Sequence, residues 1–565
     1  MIHAVLQQHR AEVEKRLGGI VVGLVDEQGS RAISYGEMDN GTDQGVNGDT
    51  VFEIGSITKT FTGLLLQEMV ERGQMKLDDP VAKYLPSSVR MPTRNSKEIT
   101  LLQLATHTSG LPTSSITWTP KRADNPRADY TIQRMYDFVS GYQLTRDPGT
   151  KYEYSTVGMA LLGQAIALKV GTNYESLVVD RICRPLKMDS TRITLTPELA
   201  GRFASGHNSF GYAVSSSYWG ALTPGAALRS TANDLLKYVS AHLGLTPSRL
   251  TPLMKETHVA HFSHVEPETD DIGLAWFVTA NRQGTKVIYH GGLTDGFIAF
   301  TCFDLTRRRG VVVLSNSQDF DVPALGKLLL ESEWQSDRRP KETEISSEFY
   351  DSCVGQYQQS HVDGAPSPPG LGIRREGDRL FCQTTGSTSR PLDVLWPPLA
   401  VELLPESANC FFNRLTGMPV TFFRDDRGKV IRLTAHAPGA EFSLARTSDQ
   451  PPQPPEPPKP HVAIKLDTKL LDSVIGRYDF APNAAFPAGA KITIWRDGDQ
   501  LVGQAWGQNT LQGAFDIYPE SETNFFLKLN GTQLTFLKND KGEVTSVIHH
   551  SYRAGVPDCE GKKVK

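Results

Sequence analysis

Ser56 and Lys59 stand three positions apart at the head of the apolar run EIGSITKTFTGLLLQEMVERG, residues 53–73. On a helix, residues i and i+3 share a face, so the hydroxyl and the amine are neighbours if the helix begins near residue 56. A serine hydroxyl is a poor nucleophile until a base takes its proton, and a lysine is that base only where a dry, cationic setting lowers its pKa. A helix start also offers unpaired backbone N–H groups to a developing oxyanion. The same two residues fit an ordinary helix cap followed by a surface charge. Ser-x-x-Lys also arises by chance about twice in a chain of this length at average residue frequencies. The pair alone leaves both readings open.

The elements that must position the pair are mixed in type. GIVVGLVDEQGSRAISYGEMD at residues 19–39 reads as a hairpin, while residues 56–73, 101–108 and 156–169 carry helical spacing. GLAWFVTANRQGTKVIYHGG and GVVVLSNS return to strands at residues 273–292 and 310–317. Strands at both ends enclosing helices predict one α+β unit whose sheet is completed by both ends of the segment.

At 565 residues the chain is several times the usual domain size. The tract PPQPPEPPKP, residues 451–460, is extended and cannot join a core. A polar stretch, QSDRRPKETEIS, marks a second boundary at residues 335–346. The expected plan is a first unit at 1–335, a second at 346–448, a Pro-rich linker at 449–461 and a third unit at 462–555.

The last two units repeat each other. DSCVGQY at 351 aligns with DSVIGRY at 472, and GDRL at 377 with GDQL at 498, both 121 positions on (472 − 351 and 498 − 377). DDRGKV at 425 aligns with NDKGEV at 539, 114 positions on (539 − 425), so the second copy has lost about seven residues in a loop. Alternating runs around D-G and K-G turns, such as AKITIWRDGDQLVGQ, predict antiparallel hairpins and hence two similar small β-barrels or sandwiches.

Net charge is −4, with 39% hydrophobic and 22% charged residues, which gives no sign of a nucleic-acid or anionic-membrane partner and points to a small-molecule or peptide substrate. No run reaches the length of a membrane span, and the first residues, MIHAVLQQHRAEVEKRL, read as an amphipathic helix rather than a signal peptide. The expectation is a cytoplasmic chain as written, or a periplasmic or secreted one if a leader preceded Met1. Cys183, Cys302, Cys353, Cys382, Cys410 and Cys559 are scattered without a C-x-x-C or a histidine-rich partner, which predicts neither a metal site nor a disulfide framework. No cofactor motif is present, and nothing in the sequence sets an oligomeric state.

Four further segments follow the Ser-Lys pair: ITLLQLATHTSGLP (99–112), PGTKYEYSTVGMALLGQAI (148–166), GAALRSTANDLLKYV (225–239) and YHGGLTDGF (289–297). In this order and spacing, over residues 15–335, the chain resembles the penicillin-recognising serine hydrolases, the group of class C β-lactamases, D-aminopeptidases, DD-peptidases and related esterases. The resemblance implies a β-lactamase-like fold, an antiparallel sheet with flanking helices and a helical subdomain. It makes Ser56 the acylating nucleophile and Lys59 its partner. Tyr154 takes the place of the tyrosine of the Y-x-N element, a phenol whose pKa the lysine lowers so that it can shuttle protons. His290, Gly291 and Gly292 match the Lys-Thr-Gly strand triad, and the N–H of Leu293 joins that of Ser56 as an oxyanion hole.

Two departures bear on activity. Thr156 replaces the family's asparagine, exchanging an amide for a shorter hydroxyl. His290 replaces the strand lysine, exchanging a fixed positive charge for a group mostly neutral at pH 7. The lysine meets a substrate carboxylate, so carboxypeptidase and strong β-lactamase activity are disfavoured. The domain plan resembles that of D-aminopeptidase, with two small lipocalin-like antiparallel barrels after the hydrolase domain. The expected function is a serine hydrolase forming an acyl-enzyme on small amides or peptides, D-amino-acid-containing substrates first. The alternatives are a carboxylesterase, a weak class C-type β-lactamase, and a non-catalytic protein that binds peptidoglycan peptides.

Overall fold

A computed structural model describes residues 18–113, 121–122, 125–209, 211–265, 270–280, 285–318, 322–331, 345–358, 370–377, 379–385, 401–413, 419–437, 440–452, 461–483, 486, 489–506, 514–529, 531–550 and 557–564. The expected N-terminal amphipathic helix lies outside these residues, as do most of the polar boundary at 335–346 and most of the Pro-rich tract.

β1 (Gly19–Asp26) and β2 (Gly29–Gly36) form the expected hairpin. The rest of their sheet comes from β3 (Phe262–Val265), β4 (Asp270–Ile272), β5 (Phe277–Ala280), β6 (Lys286–Leu293), β7 (Ile298–Asp304) and β8 (Arg309–Ser315). The eight strands run β2-β1-β8-β7-β6-β5-β4-β3, all neighbours antiparallel, and the pairing of β1 with β8 joins the two ends of the segment. Every residue of β1 is buried, which the two packed faces explain. Ile20, Val22 and Leu24 join Val311 and Val313 in a cluster that also takes Val322 and Leu330, whereas Val21 and Val25 join Val312 and Leu314 in the main helical core.

α1 (Thr58–Glu71) crosses that core and is buried along nearly its whole length. The helical run expected from residue 56 instead opens with a single 3-10 turn, Gly55–Ile57. α2 (Leu101–Ala105) is shorter than expected: Thr106 turns its hydroxyl back to the Leu102 carbonyl and His107 takes a left-handed φ of 56°, which stops the helix. α3 (Thr156–Val170) starts at a Ser155 cap and ends on Gly171 in the left-handed conformation. It packs against α4 (Thr223–Ala226) so closely that a Cβ on Gly163 would collide with Pro224.

After this unit come two closed eight-stranded antiparallel barrels, at Gly355–Ser448 and Gly476–Val564. Closure, which the repeat alone left open between barrel and sandwich, comes from pairing the first strand of each with its last. The copies share details. Tyr357 donates to the Cys353 carbonyl at 2.8 Å, and Tyr478 to the Val474 carbonyl at 2.7 Å. Arg446 and Lys563 each sit 5.8 Å from the matching tyrosine ring. The same register shift falls at Phe423/Arg424 and at Leu537/Lys538. Both interiors are filled by apolar side chains, Tyr357, Phe411 and Phe422 in one, Tyr478, Phe525 and Phe536 in the other.

The second barrel touches the first unit. Asn208 donates to the Lys528 carbonyl at 2.7 Å, Tyr212 stacks on Phe526 at 5.8 Å and accepts from the His461 amide at 2.9 Å, and Arg122 pairs with Asp516 at 2.8 Å.

Candidate active site

Ser56 lies on the 3-10 turn between the short strand Phe52–Glu53, which pairs with Arg229–Ser230, and α1. Gly55 is left-handed here at φ 48°, and a Cβ on it would stand 2.7 Å from the Leu293 amide nitrogen. A Cβ on Gly292 would collide with the Ile54 carbonyl and stand 3.2 Å from the Ser56 nitrogen. The end of β6 therefore lies directly on the serine turn, and both positions must be glycine for the Ser56 and Leu293 amides to approach each other. Leu293 keeps 58% of its surface exposed at this mouth.

Lys59, in the first turn of α1, is fully buried. Its Nζ is 2.9 Å from Ser56 Oγ and 2.7 Å from the Gly225 carbonyl oxygen. Burial, the dry part of the dry, cationic setting expected from sequence, lowers its pKa to about 7 without help from a cationic neighbour. Tyr154 completes the group: its ring centre is 4.7 Å from Lys59 Nζ, and its hydroxyl is hydrogen-bonded to the Ser56 side chain. The expectation that lysine lowers this phenol's pKa is overturned. Removal from water dominates and pushes Tyr154 above its ordinary value, with the Ser56 bond opposing only in part. At neutral pH the titrating member is the lysine.

Thr156, the first residue of α3, packs its methyl toward Gly225, where a Cβ would stand 2.9 Å from Thr156 Cγ2. The acceptor for Lys59 that an asparagine would supply is thus a backbone carbonyl, and a main-chain contributor carries no side-chain signal in a sequence. His290 on β6 is 2% exposed, and its Nδ1 is 2.6 Å from the Gly291 carbonyl. Nδ1 must carry the proton there, leaving Nε2 a bare acceptor. Burial, aided by Lys59, pushes its pKa down to about 3, so His290 is neutral. Gly291 and Gly292 bring the strand past the serine turn without side chains.

Around the mouth, Arg127 pairs with Asp295 and lies 4.2 Å from the Trp219 ring, while Ser217 Oγ donates to Asp295 at 3.2 Å. Buried Glu53 accepts from Ser216 Oγ at 2.8 Å and from the Ser217 amide at 2.9 Å. Sequence reasoning passed over these residues and also His107, although it stands in the quoted segment ATHTSGLP. Among the described residues, no group of three or more His, Cys, Asp or Glu is arranged to hold a metal ion. No helix among them is long and apolar enough to cross a membrane.

The profile of the family described as Beta-lactamase matches residues 3–332, which ends before the first barrel. Over 319 residues the chain is 29% identical to the D-alanyl-D-alanine-carboxypeptidase/endopeptidase AmpH of Escherichia coli (strain K12), covering 53% of this chain and 79% of AmpH. Protein flp of Staphylococcus aureus (strain MW2) is 26% identical over 302 residues, covering 52% of this chain and 58% of flp. Among solved structures, the beta-lactamase/D-alanine carboxypeptidase of Yersinia pestis complexed with citrate matches with a TM-score of 0.50 at 24% identity, over 58% of this chain and 99% of that one.

Proposed function

Since the chain belongs to the beta-lactamase family of serine hydrolases, we propose that it cleaves small amides or peptides, D-amino-acid-containing ones first, through an acyl-enzyme on Ser56. The observation that carries this reading is Lys59: sealed from water, with Nζ 2.9 Å from Ser56 Oγ and a pKa near 7, it is an amine able to accept the hydroxyl proton at neutral pH. Ser56 Oγ attacks the substrate carbonyl as its proton passes to Lys59, and the Ser56 and Leu293 amides take the oxyanion. Tyr154, protonated at neutral pH, relays a proton from Lys59 to the leaving group, whose bond to the acyl carbon then breaks. Water, losing its proton back through the same groups, attacks the acyl carbon and frees Ser56. AmpH, a D-alanyl-D-alanine carboxypeptidase/endopeptidase, supports the preference for D-residues. A neutral His290 supports substrates that bring no free carboxylate to β6.

Ester hydrolysis is a second reading, favoured by Thr156: without an amide at this place, a substrate that needs less help at its leaving group suffers least. Release of p-nitroaniline from D-alanyl and L-alanyl p-nitroanilide, by wild type and Ser56→Ala, tests the first reading. Ser56-dependent release from the D form supports it. Silence on both anilides with Ser56-dependent cleavage of a p-nitrophenyl ester moves the assignment to esterase. Folded protein inert to all three and unlabelled by a fluorophosphonate would instead be the peptide-binding protein.

A further inference from the structure

We propose that His107 is a positioning residue for Tyr154, acting through its Nδ1 as the acceptor that holds the tyrosine's loop in place. The proposal rests on the reading of Tyr154 as proton carrier. His107 is fully buried, and its Nδ1 accepts from the amide of Ser155, the residue after Tyr154, at 3.1 Å. Its carbonyl accepts from the amide of Glu153, the residue before, at 2.7 Å. Its ring lies 4.4 Å from the Tyr154 ring, tilted by 35°, and 5.8 Å edge-on from that of Tyr152. One histidine thus grips the amides of both residues flanking the tyrosine and one face of its ring. From the other side, Thr113 Oγ1 donates to the Tyr154 carbonyl at 2.7 Å.

The backbone supports this. His107 holds a φ of 56°, a left-handed conformation that a residue with a Cβ adopts at a cost. Strain of that kind persists where the surroundings over-determine the conformation. Because Nδ1 accepts, the single proton of the neutral ring sits on Nε2, which has no partner among the described residues. Burial, Lys59 and His290 all drive its pKa down and keep the ring neutral. A neutral ring packed beside Tyr154 excludes water from the lysine's surroundings without adding a second charge.

Asparagine separates the roles, because its side-chain oxygen can accept from the Ser155 amide and it tolerates left-handed φ, while it lacks the ring and Nε2. The experiment measures kcat, KM and the pH profile of Ser56-dependent p-nitrophenyl ester cleavage for wild type, His107→Ala and His107→Asn, with near-ultraviolet circular dichroism to establish folding. His107→Ala is expected to lower kcat by about tenfold to a hundredfold with KM little changed, the scale of misplacing a catalytic group by a fraction of an ångström to 1 Å. It also admits water beside Lys59, so the acid limb moves to higher pH. His107→Asn should recover most of the lost kcat. A folded His107→Ala variant with wild-type kcat and pH profile overturns the proposal, as does a His107→Asn variant as slow as His107→Ala. Wild-type protein without Ser56-dependent turnover removes the reading on which the proposal rests, and removes the proposal with it.

Discussion

Lys59 donates to the carbonyl of Gly225 at 2.7 Å, a backbone bond that holds the amine while it reaches Ser56 Oγ at 2.9 Å. Position 156 is thereby relieved of the duty of holding the lysine, which is how a threonine there is compatible with the rest of the group.

The first prediction is a pH–rate profile. With Lys59 as base and a pKa of about 7, the free amine makes up about a tenth of the protein at pH 6 and about nine tenths at pH 8. Ser56-dependent kcat/KM should rise through pH 7 and level off near pH 8.5. A profile flat down to pH 5 would falsify the assignment of Lys59 as base.

A buried amine costs stability, and the sign follows from its titration. Lys59 has a pKa of 10.5 outside the fold and about 7 inside, so between these values the unfolded chain holds the proton and the folded one does not. The penalty is absent above pH 10.5, grows as pH falls and is complete below 7. Lys59→Met, similar in length and apolar, should therefore abolish turnover yet raise Tm at pH 6 by about 1–6 °C, taking about 1–4 kcal/mol for removing a buried charge and about 1.5 °C per kcal/mol in a unit of roughly 300 residues. The gain should shrink at pH 9.5. Scanning calorimetry at the two pH values decides, and an equal gain at both argues that packing rather than charge is responsible.

A second buried pair has no place in the proposed chemistry. His242 Nδ1 and His258 Nε2 are 2.7 Å apart among Trp276, Phe303 and Tyr238, and Lys286 donates to the His258 carbonyl at 3.0 Å. Burial depresses both rings, His258 to about 3. Below pH 6.5 the unfolded chain takes up protons that the native pair refuses, so stability should fall steadily from pH 6.5 toward 3. Replacing both rings together, His242→Phe with His258→Phe, should reduce that slope in urea unfolding series without abolishing it, since buried His107 and His290 add to it in the same direction; an unchanged slope places the acid sensitivity elsewhere.

The contact of the second barrel with the first unit divides unevenly. Arg122 and Asp516 are 40% and 26% exposed, so their ion pair is worth less than about 1 kcal/mol. Tyr212 and Phe526 stack at 5.8 Å, and Tyr212 is 6% exposed. A double-mutant cycle on Tyr212→Ala and Phe526→Ala should give a coupling of about 0.5–1.5 kcal/mol, against a few tenths for the ion pair. Equal couplings would show that the charges hold the barrel as strongly as the rings and overturn the uneven division.

What the sequence revealed tracks what is local or repeated. Offsets of 121 and 114 exposed the paired barrels because each copy keeps its turns, its Tyr357 or Tyr478 and its bulge. Closure was hidden, since it depends on Gly355–Gln358 meeting Ala440–Ser448 across most of the unit. The α+β pattern was legible in β1 and β8, whose apolar runs mark strands covered on both faces. Ser56 and Lys59 were visible through spacing. Gly225 was not, because its contribution is a carbonyl, and the direction of the Tyr154 shift was misjudged because burial cannot be weighed against a neighbouring amine without the packing.

The last prediction concerns charge at β6. His290 is neutral and sealed, so the strand presents no cation to a substrate carboxylate. His290→Lys adds one, and β-lactams carry such a carboxylate, so hydrolysis of a penicillin should rise by about tenfold or more, in line with about 1.5–3 kcal/mol for a charged hydrogen bond. The same charge acts on Lys59, to which His290 is electrostatically linked. A second cation disfavours protonation of the first, so the acid limb of Ser56-dependent ester cleavage should move below pH 7. The two effects separate the explanations. A shifted limb without faster β-lactam hydrolysis means that the new charge is in place but the substrate carboxylate docks elsewhere, while a folded variant with neither change means that residue 290 does not set the electrostatics of this site.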